Sequence, residues 1–419
     1  MANSDQFPLR VSKEISPRRQ GPMADQTLAR YVNERRILTL LRVRGPMSRA
    51  DAARQLGLTR ATITHLVESL SGRNLVTELR PKRQKNSRRE PGRPGVTITL
   101  HPDGGYFLGA EIGVGVMRFA LLDFGLNVVD TVTVSVSPKI SPGAAIERVA
   151  GHARALEKNG KFKGRLRSLG MTVPGLVRSD GFVVHLPILG WKDVNLQALA
   201  ESQVHVPTLV ENNANAAAFG EAYLKPSQPQ DSIVYLKLGT GCGGAAIVNG
   251  RLLRGAAGNA GEFGHLRVAA SGPQCSCGQV GCLESWVNLA ALAKAYRTKM
   301  PPAEDGLSLP MRIASKAVEG DRAARAAINS IADYLTIGLL SLTNIFNPHT
   351  IFLGGAMRPV LASCLEALRG RVGAGIVPGM RVPEIRLSTL GEMECAIGAA
   401  TITHHRACDV SHIEIADIG

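Results

Sequence analysis

One histidine and three cysteines form the densest cluster of chemically capable side chains in this chain. In the segment GNAGEFGHLRVAASGPQCSCGQVGCLESW, His265 precedes Cys275 by ten residues. Cys277 and Cys282 follow, giving H-x9-C-x-C-x4-C. One imidazole and three thiolates make a closed tetrahedral set suited to structural Zn2+, with no open position for a catalytic ion. Gly278 and Gly281 allow the tight reversal this spacing demands. The chain has seven cysteines, an odd number, and the crowding of three suggests metal rather than disulfides. Cys242, Cys364, Cys395 and Cys408 are scattered and read as ordinary buried thiols.

A different chemistry marks the N-terminal quarter. Of the net charge of +15, residues 1–104 carry 20 Lys/Arg against 9 Asp/Glu, and the remaining residues are close to neutral. Charge alone leaves two readings open, a solvated basic tail or a nucleic-acid-binding module. The pattern within GPMSRADAARQLGLTRATITHLVESLSGRNLV favours the second. Ser48 stands three residues before Asp51, an N-cap signal for a short helix through Gln55, and Leu56-Gly57-Leu58 supplies a turn. Thr59 caps a second helix in which Ile63, Leu66, Val67 and Leu70 form one buried face. Two short helices around a glycine turn make a helix-turn-helix, preceded by a helix over Tyr31–Leu41 and followed by a wing strand at 74–78. The expected DNA-facing residues are Ser48, Arg49, Thr59, Arg60, Ala61, Thr62, Thr64 and His65, small or hydrogen-bonding side chains suited to a major groove. The Pro- and charge-rich segment 81–95 reads as wing plus linker. Within it, Arg93 in Gly92-Arg93-Pro94 either reaches an A·T-rich minor groove or is merely solvated.

The elements that must hold these groups begin near Tyr106. Strand-like stretches alternate with helical ones, and glycines gather at strand ends in GAEIGVGV, LGTGCGGAAIVNGRLLRGA and Gly354-Gly355. This indicates an α/β fold with largely parallel sheets and turns whose backbone could approach phosphate. With 44% hydrophobic and 20% charged residues, the chain buries a substantial core, which excludes a mainly disordered protein. No run of about 18 uncharged apolar residues suggests a membrane span, and no apolar signal-peptide core opens the chain, so a cytoplasmic, nucleoid-associated location is expected.

Taken together, SRADAARQLGLTRATITHLVESL, the GRP linker, VENNANAAAFGEAY, GEFGH and CSCGQVGCLE resemble the ROK family (repressors, open reading frames, sugar kinases) over roughly residues 30–402. The resemblance is to its repressor branch, the kind that includes repressors for xylose, N-acetylglucosamine and glucose. It implies an N-terminal winged helix-turn-helix followed by a two-lobe, ribonuclease H-like, actin-type sugar-kinase fold. The implied layout is a tail at 1–25, the DNA-binding domain at 26–80, wing and linker at 81–104, an N-terminal lobe at 105–230 and a C-terminal lobe with the zinc loop at 231–391. A helix at about 392–406 completes the N-terminal lobe, and 407–419 is a second tail. The resemblance assigns sugar contacts to Gly175, Asn212, Asn213, Glu262, His265 and Glu284, with His265 serving metal and sugar through its two ring nitrogens. Trp191 lies either near the pocket mouth or in the core.

The chain departs from the kinase pattern in two places. A kinase of this family has aspartate as general base where Glu211-Asn212-Asn213-Ala214-Asn215 has Asn213, and a carboxamide takes up no proton at neutral pH. The first phosphate loop, D-x-G-G-T in such kinases, is Glu111-Ile112-Gly113-Val114-Gly115 here. The expectation is therefore a non-enzymatic, sugar-responsive transcriptional regulator, a repressor of carbohydrate uptake or catabolism genes. Its expected partners are operator DNA, a sugar or sugar phosphate, and further copies of itself in a homodimer or tetramer, with no membrane. The alternative is an ATP-dependent kinase of a hexose or pentose. A ligand-independent architectural DNA binder is a third reading.

Overall fold

The computed structural model describes residues 22–79, 96–225, 232–299 and 308–408. Arg93, the 81–95 linker and most of both expected tails lie outside these. The chain divides into two compact units, one of Met1–Tyr106 with Asp123–Asn127 and His404–Gly419, the other of Phe107–Leu122 and Val128–Thr403.

In the first unit, α1 (Pro22–Arg44) runs longer than the sequence suggested and is followed by β1 (Met47–Ser48), α2 (Arg49–Leu56), α3 (Arg60–Gly72), β2 (Val76–Leu79) and β3 (Thr97–Leu100). The three strands form one sheet in the order β1-β3-β2, with β3 antiparallel to both neighbours. The return strand of the wing thus lies at 97–100. Local chemistry sets the two short helices. Ser48 Oγ accepts from Asp51 N at 3.1 Å, Gly57 ends α2 at φ 67°, and Thr59 Oγ1 accepts from Thr62 N at 3.1 Å. A left-handed C-cap is strained for any residue with a Cβ, so glycine suits the turn. Ile63, Leu66, Val67 and Leu70 are buried with Ile37, Leu41, Met47 and Ile98.

The second unit holds two five-stranded sheets. The first comprises β4 (Tyr106–Ile112), β5 (Val116–Asp123), β6 (Val128–Ser135), β7 (Leu166–Val173) and, after α4 (Pro142–Lys158), the small sheet of β8 (Leu176–Val177), β9 (Phe182–Leu186) and β10 (Trp191–Asn195), and α5 (Leu196–Val204), the strand β11 (Thr208–Asn212). Its order is β11-β7-β4-β5-β6. Then follow α6 (Asn213–Leu224), β12 (Ile233–Leu238), β13 (Cys242–Val248), β14 (Arg251–Leu252), α7 (Glu284–Val287), α8 (Leu289–Ala295), α9 (Ser308–Val318), α10 (Arg322–Phe346), β15 (Thr350–Gly354), α11 (Arg358–Gly375), β16 (Glu384–Leu387) and α12 (Glu394–Cys408). The second sheet has the order β14-β13-β12-β15-β16.

Both sheets are mixed rather than largely parallel. The β11–β7, β12–β15 and β15–β16 pairs are parallel, whereas β5–β6, β12–β13 and β13–β14 are antiparallel. The reason is connection length. Only residues 239–241 join β12 to β13, and a parallel partner needs a far longer crossover.

Among the described residues, one helix, α10, is long and apolar enough by composition to cross a bilayer. Its apolar face is core: Ile328, Ile331, Leu335, Leu339 and Leu342 pack with Leu236, Leu283 and Leu353. Trp191 is also core, its indole N–H donating to Ile140 O at 2.8 Å.

Candidate functional site

On the helix-turn-helix, Arg60, Ala61 and His65 are exposed on one face of α3. Other expected contact residues have structural employment. The Ser48 hydroxyl serves its cap and also donates to Asp51 Oδ2 at 2.7 Å, and Arg49 pairs with Glu78 on β2. Thr59 and Thr62 share a hydroxyl–hydroxyl bond of 2.8 Å, and Thr64 Oγ1 donates back to Arg60 O at 2.9 Å. Of the expected contact residues on α3, Arg60, Ala61 and His65 are the exposed ones, and His65 Nδ1 stands 3.7 Å from Glu68 Oε2.

The four metal candidates converge. One ligand atom from each of His265, Cys275, Cys277 and Cys282 lies within 4.8 Å of the others. Tetrahedral zinc, with bonds of about 2.3 Å to sulfur and 2.0 Å to nitrogen, separates its ligands by about 3.8 Å (S to S) and 3.5 Å (S to N). The observed Cys277–Cys282 sulfur separation is 3.7 Å, and Cys275 Sγ is 3.4 Å from His265 Nδ1. The donor set and spacing fit zinc. Gly281, at φ 83°, allows the reversal, and a Cβ there would strike Ala269 O. Burial, with the neighbouring Cys277 and Cys275, pushes the Cys282 thiol up to about 12.

His265 Nδ1 faces the sulfurs, and Nε2 points the other way, 3.7 Å from Glu262 Oε2. Burial raises the Glu262 carboxyl above its ordinary value, with His265 opposing and Glu284 adding to the rise. Glu284 opens α7. Its Oε2 accepts from Cys242 N at 3.0 Å and its Oε1 from Ser276 Oγ at 2.8 Å. Both Glu284 oxygens are thus engaged, and a Cβ at Gly241 would lie 2.8 Å from Glu284 Oε2, so a side chain there would displace that carboxylate.

The other candidates sit where β11 meets α6. Asn212 caps α6, its Oδ1 accepting from Ala214 N at 2.7 Å, while its Nδ2 donates to Gly175 O at 3.0 Å. Asn213 begins the helix and is buried, Nδ2 donating to Glu111 Oε1 at 3.4 Å. Its Oδ1 is buried with no hydrogen-bond partner among the described residues. The start of β13 joins the two groups. Gly243 lies against Ala214, Gly244 against Phe263, and Gly264 against Cys242 O, each so close that a Cβ would press on its neighbour. The ENNAN segment, GEFGH and Glu284 therefore surround one strand end.

Two features escaped sequence reasoning. Arg254 Nη1 lies 2.7 Å from Glu211 Oε2, tying the strand before Asn212 to the loop after β14. A buried ion network also joins the glycine-marked loops. Arg118 Nη1 is 3.3 Å from Glu111 Oε2, Lys237 Nζ is 3.8 Å from Glu111 Oε1 and 3.6 Å from Glu394 Oε1, and Glu394 Oε2 accepts from Tyr235 Oη and Gly355 N. The one available signal was a lysine inside the otherwise apolar strand IVYLKL.

Comparison with known proteins agrees with this geometry. The ROK family model matches residues 107–406. The xylose repressor of Bacillus spizizenii is 30% identical over 392 residues, covering 93% of this chain and 99% of that protein. A ROK family transcriptional regulator homologous to the Escherichia coli MLC protein shares the fold, with a TM-score of 0.73 at 24% identity over 89% of this chain and 96% of its own. The ROK glucokinase of Streptomyces griseus, solved with glucose and AMPPNP, is 26% identical with a TM-score of 0.61, covering 71% of this chain and 99% of its own. That kinase leaves the remainder of this chain unmatched, whereas the repressor runs nearly end to end. The chain belongs to the ROK family.

Proposed function

We propose that this protein is a sugar-responsive transcriptional repressor in which the kinase chemistry of the fold has been lost. The observation that carries the reading is Asn213. At the position of the kinase base it presents a carboxamide with one face on Glu111 and an unpartnered oxygen on the other. Such a group accepts a hydrogen bond from a sugar hydroxyl but does not remove its proton. General-base assistance is worth about 10²–10⁴-fold, so binding survives its loss and phosphoryl transfer does not. Glu111, the carboxylate hydrogen-bonded to Asn213, is no substitute base, since Asn213, Arg118 and Lys237 already occupy its oxygens. The Cys242 N–H of the second glycine loop is likewise taken, by Glu284.

In this reading Gly175, Asn212, Asn213, Glu262, His265 and Glu284 line the cleft for a sugar or sugar phosphate. Structural zinc on His265, Cys275, Cys277 and Cys282 would crosslink the loop that carries Glu284 and orient the His265 ring. The α2–α3 head reads operator DNA in the major groove, and two copies engage the two half-sites of a palindrome. Sugar binds one lobe arrangement better than the other and so weakens operator affinity, with a coupling of about 1–3 kcal/mol. The homology with the xylose repressor across the head and body supports the assignment. Fluorescence anisotropy of labelled operator, titrated with D-xylose, D-glucose and N-acetyl-D-glucosamine, tests it. Release by one of these or by its phosphate is expected, and operator affinity unmoved by any sugar or sugar phosphate counts against the reading.

A further inference from the structure

We infer that Glu111 is a positioning residue that sets the polarity of the Asn213 carboxamide and thereby requires a hydrogen-bond donor, a hydroxyl, on the sugar atom that meets it. The inference rests on the sugar-sensor reading above and adds a specificity rule to it. A primary amide has one donor end and one acceptor end, and a carboxylate offers only acceptors. Turned the other way, Asn213 would set its carbonyl oxygen against Glu111 Oε1 at about 3.4 Å, oxygen facing oxygen. The Cys395 thiol also hydrogen-bonds to Glu111, and two cations that can only donate flank the carboxylate: Arg118 Nη1 at 3.3 Å and Lys237 Nζ at 3.8 Å. These cations hold the carboxylate in place from β5 and from β12, while Asn213 approaches from α6. The amide therefore has one orientation, with Nδ2 on Glu111 and Oδ1 away from it.

That Oδ1 is buried and unpartnered among the described residues. An unmet buried acceptor is costly, and a donor arriving with the ligand removes the cost. A hydroxyl serves. A fluorine or hydrogen in its place does not donate and leaves Oδ1 unmet. The glutamate where a kinase of this family opens its first phosphate loop thus orients the residue that replaced the base.

The test uses the full-length protein and calorimetric binding of D-xylose, D-glucose, N-acetyl-D-glucosamine and their monodeoxyfluoro analogues. For the sugar that binds, replacing one particular hydroxyl by fluorine should weaken wild type about tenfold or more, the equivalent of one lost hydrogen bond. In Glu111→Gln, whose own amide meets either end of Asn213, that penalty should shrink to under about threefold. Glu111→Asp, which keeps the carboxylate, should restore it. A merely structural role would lower affinity for every analogue alike. Wild-type discrimination retained in Glu111→Gln overturns the inference. So does a wild type that binds sugar but tolerates fluorine at every carbon.

A readout without sugar separates this inference from the sensor reading. In ¹⁵N-asparagine-labelled protein, the Asn213 Nδ2 signals, identified by their loss in Asn213→Ala, should move in Glu111→Gln and return towards wild type in Glu111→Asp. If no sugar binds, the sensor reading fails while these signals still decide the orientation. Signals unchanged in Glu111→Gln show that Glu111 does not hold the amide.

Discussion

Restoring a carboxylate at the base position by Asn213→Asp should destabilise the protein in a pH-dependent way. The new carboxylate would stand about 3.4 Å from Glu111 Oε1, in place of an amide that donates to it. Two unit charges at that distance repel by about 5 kcal/mol at an effective dielectric constant of about 20. Keeping one proton on the pair at pH 8 instead costs a similar amount, about 5 kcal/mol for a carboxyl with an ordinary value near 4. Arg118 and Lys237 offset part of either cost. The net loss at pH 8 is then about 2–4 kcal/mol, or a fall in apparent melting temperature of about 4–10 °C. The sign with pH follows from proton counting. The folded pair retains a proton that the unfolded chain releases above about pH 4, so the variant gains stability relative to wild type as pH falls. Thermal unfolding of both proteins at pH 8 and 5.5 measures this, and the gap should narrow at the lower pH. A variant as stable as wild type at pH 8, or a gap independent of pH, would refute the placement of Glu111 beside Asn213.

Three further outcomes follow from the metal site and the head. Cys277→Ser should reduce bound zinc from about one per chain to a small fraction by elemental analysis, and full zinc retention would remove Cys277 from the ligand set. Thr59→Ala deletes the N-cap of α3 and should cost about 1 kcal/mol, read as earlier melting of the helical signal of the head; an unchanged transition would mean that the cap contributes nothing there. Arg60→Ala should weaken operator binding by about 1–3 kcal/mol and relax sequence preference, whereas equal loss on all sequences would make Arg60 a phosphate contact.

How far each feature could be read from sequence depends on how local its chemistry is. Ser48, Gly57 and Thr59 announce two helices and their turn because caps act over three or four residues. The cluster of one histidine and three cysteines that could hold a metal was readable because its four members fall within one short segment and sulfur and imidazole have few other reasons to crowd together. The hydroxyls of Ser48, Thr59 and Thr64 also bond the backbone, a role that a side chain's type alone does not reveal. The mixed sheets were hidden for a similar reason. Apolar strands ending in glycine look alike whether the next strand returns as a hairpin or crosses over. The Glu111–Arg118–Lys237–Glu394 network lay beyond reach because its members come from four elements separated by up to 283 positions, and only the fold brings them together.

The central claim is that the cleft binds sugar without phosphorylating it. Its most direct test is ATP consumption by purified zinc-loaded protein in a coupled assay, with D-xylose, D-glucose and N-acetyl-D-glucosamine each at saturating concentration. The account expects no sugar-dependent turnover above background. Turnover in the ordinary enzymatic range of about 1–10³ s⁻¹ with any of these sugars would contradict it.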